Sequence, residues 1–327
     1  MRRVVLCDGR AWLEEVPDPS PEPGWVVVRV RSSPICGSDL GAFYGEEENR
    51  NAGHEGTGEV VAVAEGSRLR EGDRVVLSPL SGCGKCGHCR RGDYIYCRKK
   101  PPSYTHFADY VKIQEFICIP LPDDISYDLG ALVGCALCPA FDVLKRMGLS
   151  PYDTLLVTGL GPVGLGAVAL GAFAGVRVVG VDPEPWRREL AVQLGAQEAL
   201  DGNEADLLGR ILDMTDGEGV SCAVDCSGNP RAERLCLDAV GVRGRVGIVG
   251  ENHRGLKVVP SPDLIRKGVT LYGTWHFNLN DAPKLFKFLR RFPRAELLIS
   301  HTFPLDRVQE AFETFVSRRA AKVLLKP

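Results

Sequence analysis

The chain has 327 residues, of which 44% are hydrophobic and 25% are charged. This composition supports one large or two ordinary folded domains and excludes a disordered chain. Lys and Arg number 40 and Asp and Glu number 42, so the overall charge argues against a nucleic-acid partner.

No segment contains the roughly 20 consecutive apolar residues of a membrane span. The apolar run near the N-terminus is too short for a secretory signal. We therefore expect a cytoplasmic protein with no membrane partner. Its 12 cysteines would then be reduced, and clustered thiols in a reducing compartment more often bind metal than form disulfides.

Two polar motifs in the first part of the chain contain metal-binding residue types. PICGSDL contains Cys36, Ser38 and Asp39, and AGHEGTGEVVAV contains His54 and Glu55. A catalytic zinc takes protein ligands from several loops and keeps one position open. A single cysteine is equally typical of a small buried hydrophobic residue. Locally, the two interpretations therefore stay open.

The next motif, GCGKCGHCRRGDYIYC at residues 82–97, has the spacing C-x2-C-x2-C-x7-C. Its four thiols belong to Cys83, Cys86, Cys89 and Cys97. Four thiolates complete the tetrahedral shell of a structural zinc ion. The usual iron–sulfur run instead ends in C-x3-C-P. We therefore predict a structural zinc site, with His88 as a bystander.

Residues 154–182 have the order of a dinucleotide-binding βαβ unit. The β-branched run Thr154–Thr158 predicts a buried parallel strand. The loop GLGPVG follows, then a helix of small residues, then a second strand. The predicted cofactor-binding residues of this loop are Gly159, Gly161, Pro162, Val163 and Gly164.

Each part of that loop has a physical role in holding a pyrophosphate. Gly159 permits the tight turn, Gly161 allows the backbone to approach the phosphates, and Gly164 allows close helix packing. The pyrophosphate would rest on the N-terminus of the helix. Asp182 ends the second strand and would accept hydrogen bonds from the adenosine ribose, which favours NAD over NADP. Arg187 follows nearby and is a further predicted cofactor-binding residue, which leaves NADP as the alternative cofactor.

Alternating strand and helix patterns continue to about residue 275. We predict strands in VSCAVDCSG (220–228), GRVGIVG (244–250) and VTLYGTW (269–275), with a helix in RAERLCLDAV (231–240). This alternation predicts an α/β fold with a doubly wound parallel sheet. Ligands bind at the carboxyl ends of such strands, so we expect Ser227, Gly228 and Gly250 near the cofactor.

The ordered motifs resemble the zinc-dependent medium-chain dehydrogenase/reductase family, which includes alcohol, sorbitol and threonine dehydrogenases. The resemblance is carried by CGSD (36–39), GHEGTGEV (53–60), the four-cysteine loop, and GLGPVG (159–164) with Asp182, over essentially the whole chain. It implies a GroES-like β-rich catalytic domain, residues 1–138 and 276–327. It also implies a Rossmann domain, residues 139–275.

The resemblance further implies the residues of a catalytic zinc site. Cys36 and His54 would be ligands, and Glu55 would be a near or alternating ligand with a catalytic role. Family members take the third ligand about 24 residues before the glycine loop. Cys135 occupies that position, and Cys138 is its competitor one helical turn away. Ser38 would accept the hydroxyl proton.

The implied activity is hydride transfer between NAD and a secondary alcohol, with two zinc ions per chain in a homo-oligomer. Gly41 stands where many alcohol dehydrogenases have a relay histidine. Polar candidates for the substrate site favour a polyol or amino-polyol, such as an amino-cyclitol. These candidates are Tyr44, Glu46, Glu47, Glu48, Tyr104, His106, Trp275, His276, Phe277 and Asn278. Two alternatives are a zinc-free-type reductase of activated double bonds and a non-enzymatic metal- and nucleotide-binding redox sensor.

Overall fold

The computed structural model describes residues 1–102 and 105–327, and the chain forms two compact units. The first unit contains Met1–Cys135, Asn278–Arg291 and Ile299–Pro327, and the second contains Ala136–Phe277 and Phe292–Leu298. Among the described residues, no helix combines the length and the apolar character needed to cross a membrane.

The strands and helices are numbered along the chain. The strands are β1 (Arg2–Cys7), β2 (Arg10–Glu15), β3 (Trp25–Pro34), β4 (Gly56–Ala62), β5 (Arg74–Leu77), β6 (Tyr110–Gln114), β7 (Cys118–Pro120), β8 (Thr154–Thr158), β9 (Arg177–Asp182), β10 (Glu198–Asp201), β11 (Val220–Asp225), β12 (Val240–Ile248), β13 (Thr270–Gly273), β14 (Ile299–Pro304) and β15 (Lys322–Lys326). The α-helices are α1 (Asp39–Phe43), α2 (Gly87–Arg91), α3 (Tyr127–Ala131), α4 (Cys138–Met147), α5 (Pro162–Phe173), α6 (Pro185–Gln193), α7 (Leu207–Asp213), α8 (Pro230–Ala239), α9 (Ala282–Arg291) and α10 (Val308–Val316). Shorter 3-10 helices lie at Tyr94–Tyr96, Glu115–Ile117, Leu279–Asp281, Pro293–Leu298 and Leu305–Arg307, and a short π-helix lies at Pro260–Ile265.

The first unit is built on a mostly antiparallel sheet in the order β14-β15-β3-β4-β5-β7, with β6 also paired to β3. The apolar, β-branched start of β3 explains its central position. The C-terminal strand β15 pairs antiparallel with β3, so that Leu325 lies opposite Ser33. This pairing brings the end of the chain beside the motif that begins with Cys36. A core containing Leu6, Phe107 and Phe312 packs beneath.

The second unit is built on a parallel sheet in the order β10-β9-β8-β11-β12-β13. From β8 the chain runs outward through β9 and β10, and from β11 it runs outward in the opposite direction. This is the doubly wound arrangement predicted from the sequence. The strand order reverses between β8 and β11, which is the point where such sheets bind ligands.

Residues 292–298 belong to the second compact unit, although the chain on either side of them belongs to the first. This placement has a packing cause. The Phe292 ring packs edge-on against Phe173 at 6.3 Å, and Arg294 donates to the carbonyl of Gln193 at 3.4 Å. These contacts attach a short segment of the C-terminal region to the second unit.

Candidate active site and metal centres

Four potential metal ligands from three chain segments meet in the first unit. Cys36 follows β3, His54 and Glu55 precede β4, and Cys135 ends the segment after α3. Their ligand atoms all lie within 4.8 Å of one another, and the two sulfurs are 3.6 Å apart. Cys138, the first residue of α4, is not a member of this cluster. The geometry therefore favours Cys135 as the third ligand.

The cluster fits a zinc ion in donor type and spacing. A tetrahedral zinc with ~2.3 Å bonds to sulfur sets its sulfurs about 3.8 Å apart, close to the observed separation. His54 Nε2 lies 3.9 Å from Glu55 Oε1. The other carboxylate oxygen of Glu55 is buried and has no hydrogen-bond partner. A buried acceptor of this kind needs a donor or a cation, and an ion would supply one.

Asp39 orients two of these ligands, a role that sequence reasoning missed. Its Oδ2 accepts a hydrogen bond from the Cys36 backbone N–H at 2.8 Å, and its Oδ1 lies 3.1 Å from His54 Nδ1. A histidine that uses one ring nitrogen in this way presents the other to a metal. The available signal was the position of Asp39 inside the CGSD motif that carries Cys36.

Lys322 is a second residue that sequence reasoning missed. It begins β15 and is 1% exposed. Its ammonium group donates to Glu55 Oε1 and to the Ile35 carbonyl at 3.3 Å. A buried lysine requires a partner of this kind. No local pattern indicated the contact, because the two residues are 267 positions apart.

Hydrogen bonds and burial shift the ionisation of the cluster. The hydrogen bond with Cys135 lowers the pKa of Cys36 well below its ordinary value, and the Lys322 charge adds to this shift against burial. The same hydrogen bond and burial raise the pKa of Cys135. Burial raises the pKa of Glu55 to about 7, although Lys322 opposes it. Of the two thiols, Cys36 is the one whose ionisation its surroundings favour.

Ser38 precedes α1 and is exposed. It occupies the N-cap position but makes no side-chain cap hydrogen bond, so its hydroxyl is not used to cap the helix. Gly41 lies on the same helix, and a Cβ built there meets nothing within 4 Å. The chain could hold a side chain at Gly41 but has none.

The four predicted structural ligands also meet. The sulfurs of Cys83, Cys86, Cys89 and Cys97 form a cluster within 4.8 Å. Cys86 Sγ and Cys89 Sγ are 3.5 Å apart, and Cys83 Sγ lies 4.0 Å from Cys89 Sγ. These spacings match the sulfur edges of a tetrahedral zinc site of about 3.8 Å. His88 is exposed and lies beside Arg91 at 3.3 Å, outside the cluster.

The loop that carries these cysteines is fixed at both ends by amide side chains. Gln114 donates to the Gly82 carbonyl at 2.9 Å and accepts from its N–H at 3.1 Å. Asn278 donates to the Arg91 carbonyl at 2.6 Å and to Asp93 at 2.7 Å. Gly92 has φ +87, and a Cβ there would lie 2.4 Å from Asn278 Oδ1. Only glycine fits this position without a shift.

The glycine loop of the second unit joins β8 to α5. Gly159 has φ +80, as its tight turn requires, and a Cβ on Gly164 would lie 1.9 Å from the Gly159 carbonyl oxygen. Gly161 is the N-cap residue of α5, whose first two residues are Pro162 and Val163. A Cβ on Gly161 would meet nothing within 4 Å, so the loop backbone is open where a phosphate would approach.

Asp182 ends β9 and is 3% exposed. Its carboxylate accepts the N–H groups of Leu160 at 2.7 Å and Glu184 at 2.9 Å. It therefore connects the glycine loop to the turn before α6. Arg187 Nη1 lies 3.7 Å from this carboxylate, while its Nε is buried without a partner. The two residues predicted to select the cofactor are thus adjacent.

Comparison with known proteins adds to this geometry. Residues 22–123 match the alcohol dehydrogenase GroES-like domain, and residues 162–291 match the zinc-binding dehydrogenase family. The zinc-type alcohol dehydrogenase-like protein YphC of Escherichia coli is 33% identical over 96% of this chain and 94% of that protein. The chain belongs to the zinc-dependent medium-chain dehydrogenase/reductase family.

Other family members agree in length and fold. Sorbitol dehydrogenase of Bacillus subtilis is 30% identical over 100% of this chain and 97% of that protein. An L-threonine 3-dehydrogenase of Alteromonas mediterranea is 30% identical over 96% and 95%. The solved alcohol dehydrogenase TADH from Thermus sp. ATN1 superposes with a TM-score of 0.93, at 28% identity and full coverage of both chains. The chain is therefore a zinc-type alcohol dehydrogenase-like oxidoreductase with the predicted α/β fold.

The family resemblance also predicted a set of polar residues around the substrate. Tyr44 and residues 46–48 are exposed, and Glu48 forms an ion pair with Arg50. Trp275 is half-exposed, and Tyr104 lies outside the described residues. In contrast, His106 and Phe277 are buried, at 4% and 3% exposure.

His106 and His54 both line a small, partly open pocket of about 20 Å³. Burial lowers the pKa of His106 to about 3, so its imidazole is neutral. His106 is therefore a buried, neutral neighbour of His54 beside the metal cluster.

Proposed function

We propose that this family member is an NAD-dependent zinc dehydrogenase that interconverts a secondary alcohol and its ketone. The observation that carries the proposal is the cluster of Cys36, His54, Glu55 and Cys135, with its buried unpartnered carboxylate oxygen. A zinc-free-type reductase of double bonds has no use for such a cluster. The four-cysteine loop would hold a second, structural zinc that takes no part in the chemistry.

The residues of the first unit divide the work of deprotonating the alcohol. Zinc, when bound, would supply a Lewis acid that lowers the pKa of the substrate hydroxyl group. We assign the acceptor of the hydroxyl proton to Ser38, because its hydroxyl is exposed and makes no cap hydrogen bond. Gly41 offers no side chain to continue a relay, so the proton passes from Ser38 to solvent. Asp39 keeps His54 in the tautomer that presents Nε2.

The second unit would hold the cofactor. NAD, when bound, would supply the hydride acceptor. The glycine loop and the N-terminus of α5 would receive the pyrophosphate, and Asp182 would face the adenosine ribose. Its carboxylate is held in place by two backbone N–H groups. A 2′-phosphate on the ribose would therefore be repelled by a fixed negative charge. This supports NAD over NADP.

The substrate class we propose is a polyol or amino-polyol. Sorbitol and L-threonine, named for two relatives, each carry a secondary hydroxyl beside a second polar group. The exposed carboxylates of Glu46 and Glu47 would favour a hydroxylated or cationic substrate over a simple alkyl alcohol. Neither residue forms an ion pair within the described part of the chain.

We also propose a homo-oligomer. Strand β13 lies at the edge of the parallel sheet, and it and the segment before it carry exposed apolar side chains. Leu271 is 41% exposed, Val259 42% and Ile265 73%. An apolar open edge of this kind favours pairing with another chain, and a second copy would pair through the same surface.

Metal content and turnover test the proposal together. We expect two zinc ions per wild-type chain, and about one in the Cys36→Ala and Cys135→Ala variants, with loss of NAD reduction by polyols. Cys138→Ala is the matched control, because it removes a buried thiol outside the cluster. If Cys36→Ala retained two zinc ions, the cluster would not be the catalytic site. Absence of turnover with sorbitol, threonine and amino-cyclitols would exclude the substrate class.

A further inference from the structure

Asp225 is a fully buried carboxylate at the point where three strands of the parallel sheet end. It is 0% exposed and is the last residue of β11. In register it lies opposite Thr158, the last residue of β8, and Ile248, the last residue of β12. The strand order reverses between β8 and β11, so Asp225 lies at the base of the ligand-binding crevice of the fold.

The carboxylate of Asp225 accepts four hydrogen bonds. Oδ1 accepts the hydroxyls of Thr158 at 2.9 Å and Ser227 at 2.6 Å. Oδ2 accepts the backbone N–H groups of Ser227 at 3.2 Å and Gly228 at 2.9 Å. No cation pairs with Asp225 within residues 1–102 and 105–327. The four donors therefore offset the cost of burying this charge, which would rise if any donor moved away.

The backbone of Asp225 fixes a further loop. Its carbonyl oxygen accepts the N–H groups of Val249 at 2.9 Å and Gly250 at 3.1 Å, in the turn after β12. One residue thus connects the end of β8, the loop after β11 and the loop after β12. These are the segments in which Ser227 and Gly250 were predicted to contact the cofactor.

The connected loops pack with clearance for glycine only. A Cβ on Gly250 would lie 2.1 Å from the Gly228 nitrogen, and a Cβ on Gly159 would lie 2.5 Å from Ser227 Cβ. A displacement of the loop after β11 would therefore be transmitted to the glycine loop. The Ser227 hydroxyl donates to Asp225 and accepts the Asn229 N–H at 3.0 Å, so its hydrogen is not available to a ligand.

We propose that Asp225 is a positioning residue for dinucleotide binding, and that Ser227 acts through Asp225 instead of contacting the nucleotide with its hydroxyl. The carboxylate holds the loops after β11 and β12 at the separation that the nucleotide requires. This inference rests on the proposed function, because it needs the second unit to bind NAD. It assigns a binding role to a side chain that touches neither substrate nor cofactor.

The test is NADH affinity of the Asp225→Asn variant, measured by fluorescence titration on the zinc-loaded enzyme. The amide keeps the shape but offers one acceptor oxygen in place of two. Either the two hydroxyls or the two backbone N–H groups therefore lose their carboxylate acceptor, and we expect the Kd for NADH to rise about tenfold to a hundredfold. Zinc content and the KM for the alcohol should stay unchanged. Amide hydrogen exchange should become faster in residues 226–229 and 249–251.

Glu233→Gln is the matched control. Glu233 is 2% exposed on the next helix, α8, and its carboxylate accepts from Asn252 at 2.6 Å. Its replacement also changes a buried acid of the second unit, but the glutamine oxygen can still accept from Asn252 and hold the loop after β12. We therefore expect the NADH Kd to stay within about twofold of wild type. A rise equal to that of Asp225→Asn would make the effect one of general destabilisation and overturn the proposal.

Thr158→Val keeps the test decisive if Asp225→Asn does not fold. It removes one hydroxyl donor while preserving shape, and we expect about a threefold rise in the NADH Kd. Wild-type affinity in a folded Asp225→Asn variant, or in Thr158→Val where only that variant folds, would overturn the positioning role alone. If the wild-type enzyme bound no NADH, the proposed function would fail, and this inference with it.

Discussion

Replacing Lys322 with methionine tests how the chain keeps an acid buried beside the catalytic cluster. The ammonium group of Lys322 contacts Glu55 Oε1 and the Ile35 carbonyl, and methionine preserves most of its volume. The lost hydrogen bond to Ile35 is expected to cost about 1 kcal/mol. The larger effect comes from Glu55, which loses its charged partner, and it depends on pH.

The sign and size of that effect follow from the pKa of Glu55. Burial raises it to about 7, and Lys322 is the first force opposing the rise. In the Lys322→Met variant the carboxyl therefore stays protonated above pH 7. The unfolded chain is ionised from about pH 4.3 upward, so the folded state holds a proton that the unfolded state lacks. Stability falls as pH rises under that condition.

In the wild-type protein the decrease in stability with rising pH ends near pH 7, where Glu55 ionises. In the variant the decrease continues above pH 7. The deficit of Lys322→Met should therefore grow by about 1.4 kcal/mol for each pH unit above 7. We would measure it between pH 6 and 9 by hydrogen exchange of β3 and β15 in denaturant, after a chelator has removed the catalytic ion. The double variant Lys322→Met/Glu55→Gln should lose the part of the dependence that comes from Glu55, and keep only the part that comes from Cys36, whose pKa Lys322 also lowers. An equal deficit at pH 6 and pH 8 would refute the reasoning.

Three further changes probe other parts of the chain. Asn278→Ala removes two hydrogen bonds to residues 91–93. We expect the variant to be about 1–2 kcal/mol less stable and to lose zinc faster from the cysteine loop. An unchanged rate of zinc release would contradict this. Hydrogen bonding to Arg234 lowers the pKa of Asp263 to about 2, so the advantage of wild type over Asp263→Asn should be present above about pH 4 and shrink as pH falls toward 2 in urea unfolding. Gly41→Ala has open space for its Cβ and should raise stability by about 0.5–1 kcal/mol, and a lower melting temperature would show strain that the backbone does not display.

The sequence predicted the parts of the fold that depend on short-range pattern. The β-branched run Thr154–Thr158 is β8, and the acid that closes the second strand is the last residue of β9. Such segments follow from hydrophobic periodicity and from glycine at positive φ, both of which are local properties. The attachment of residues 292–298 to the second unit was not predictable, because it depends on the contact between Phe292 and Phe173.

The residues of the candidate site were also predictable only where a short local motif contains them. Cys36, His54 and Glu55 were identified by motif, but the choice between Cys135 and Cys138 depended on which thiol the chain brings within 4.8 Å of the others. Asp225 carried a signal that was not used. An acid at the end of an apolar strand that is buried on both faces must find donors nearby.

The contact between Lys322 and Glu55 could not be predicted from local sequence, because it depends on strand register. Side chains alternate between the two faces of a strand, so a shift of one residue in the pairing of β15 with β3 would turn Lys322 away from Glu55. The observed pairing sets Leu324 opposite Pro34 and Leu325 opposite Ser33. That register follows from the core that buries Val323 and Leu325 beside Phe312, a long-range packing that no local pattern indicates. A lysine at the start of an apolar C-terminal strand therefore indicates a buried ion pair only when an acid is known to lie beside it in the fold. The buried Glu55 and the buried Lys322 each make the other tolerable, which is why the methionine substitution is the sharpest single test of this site.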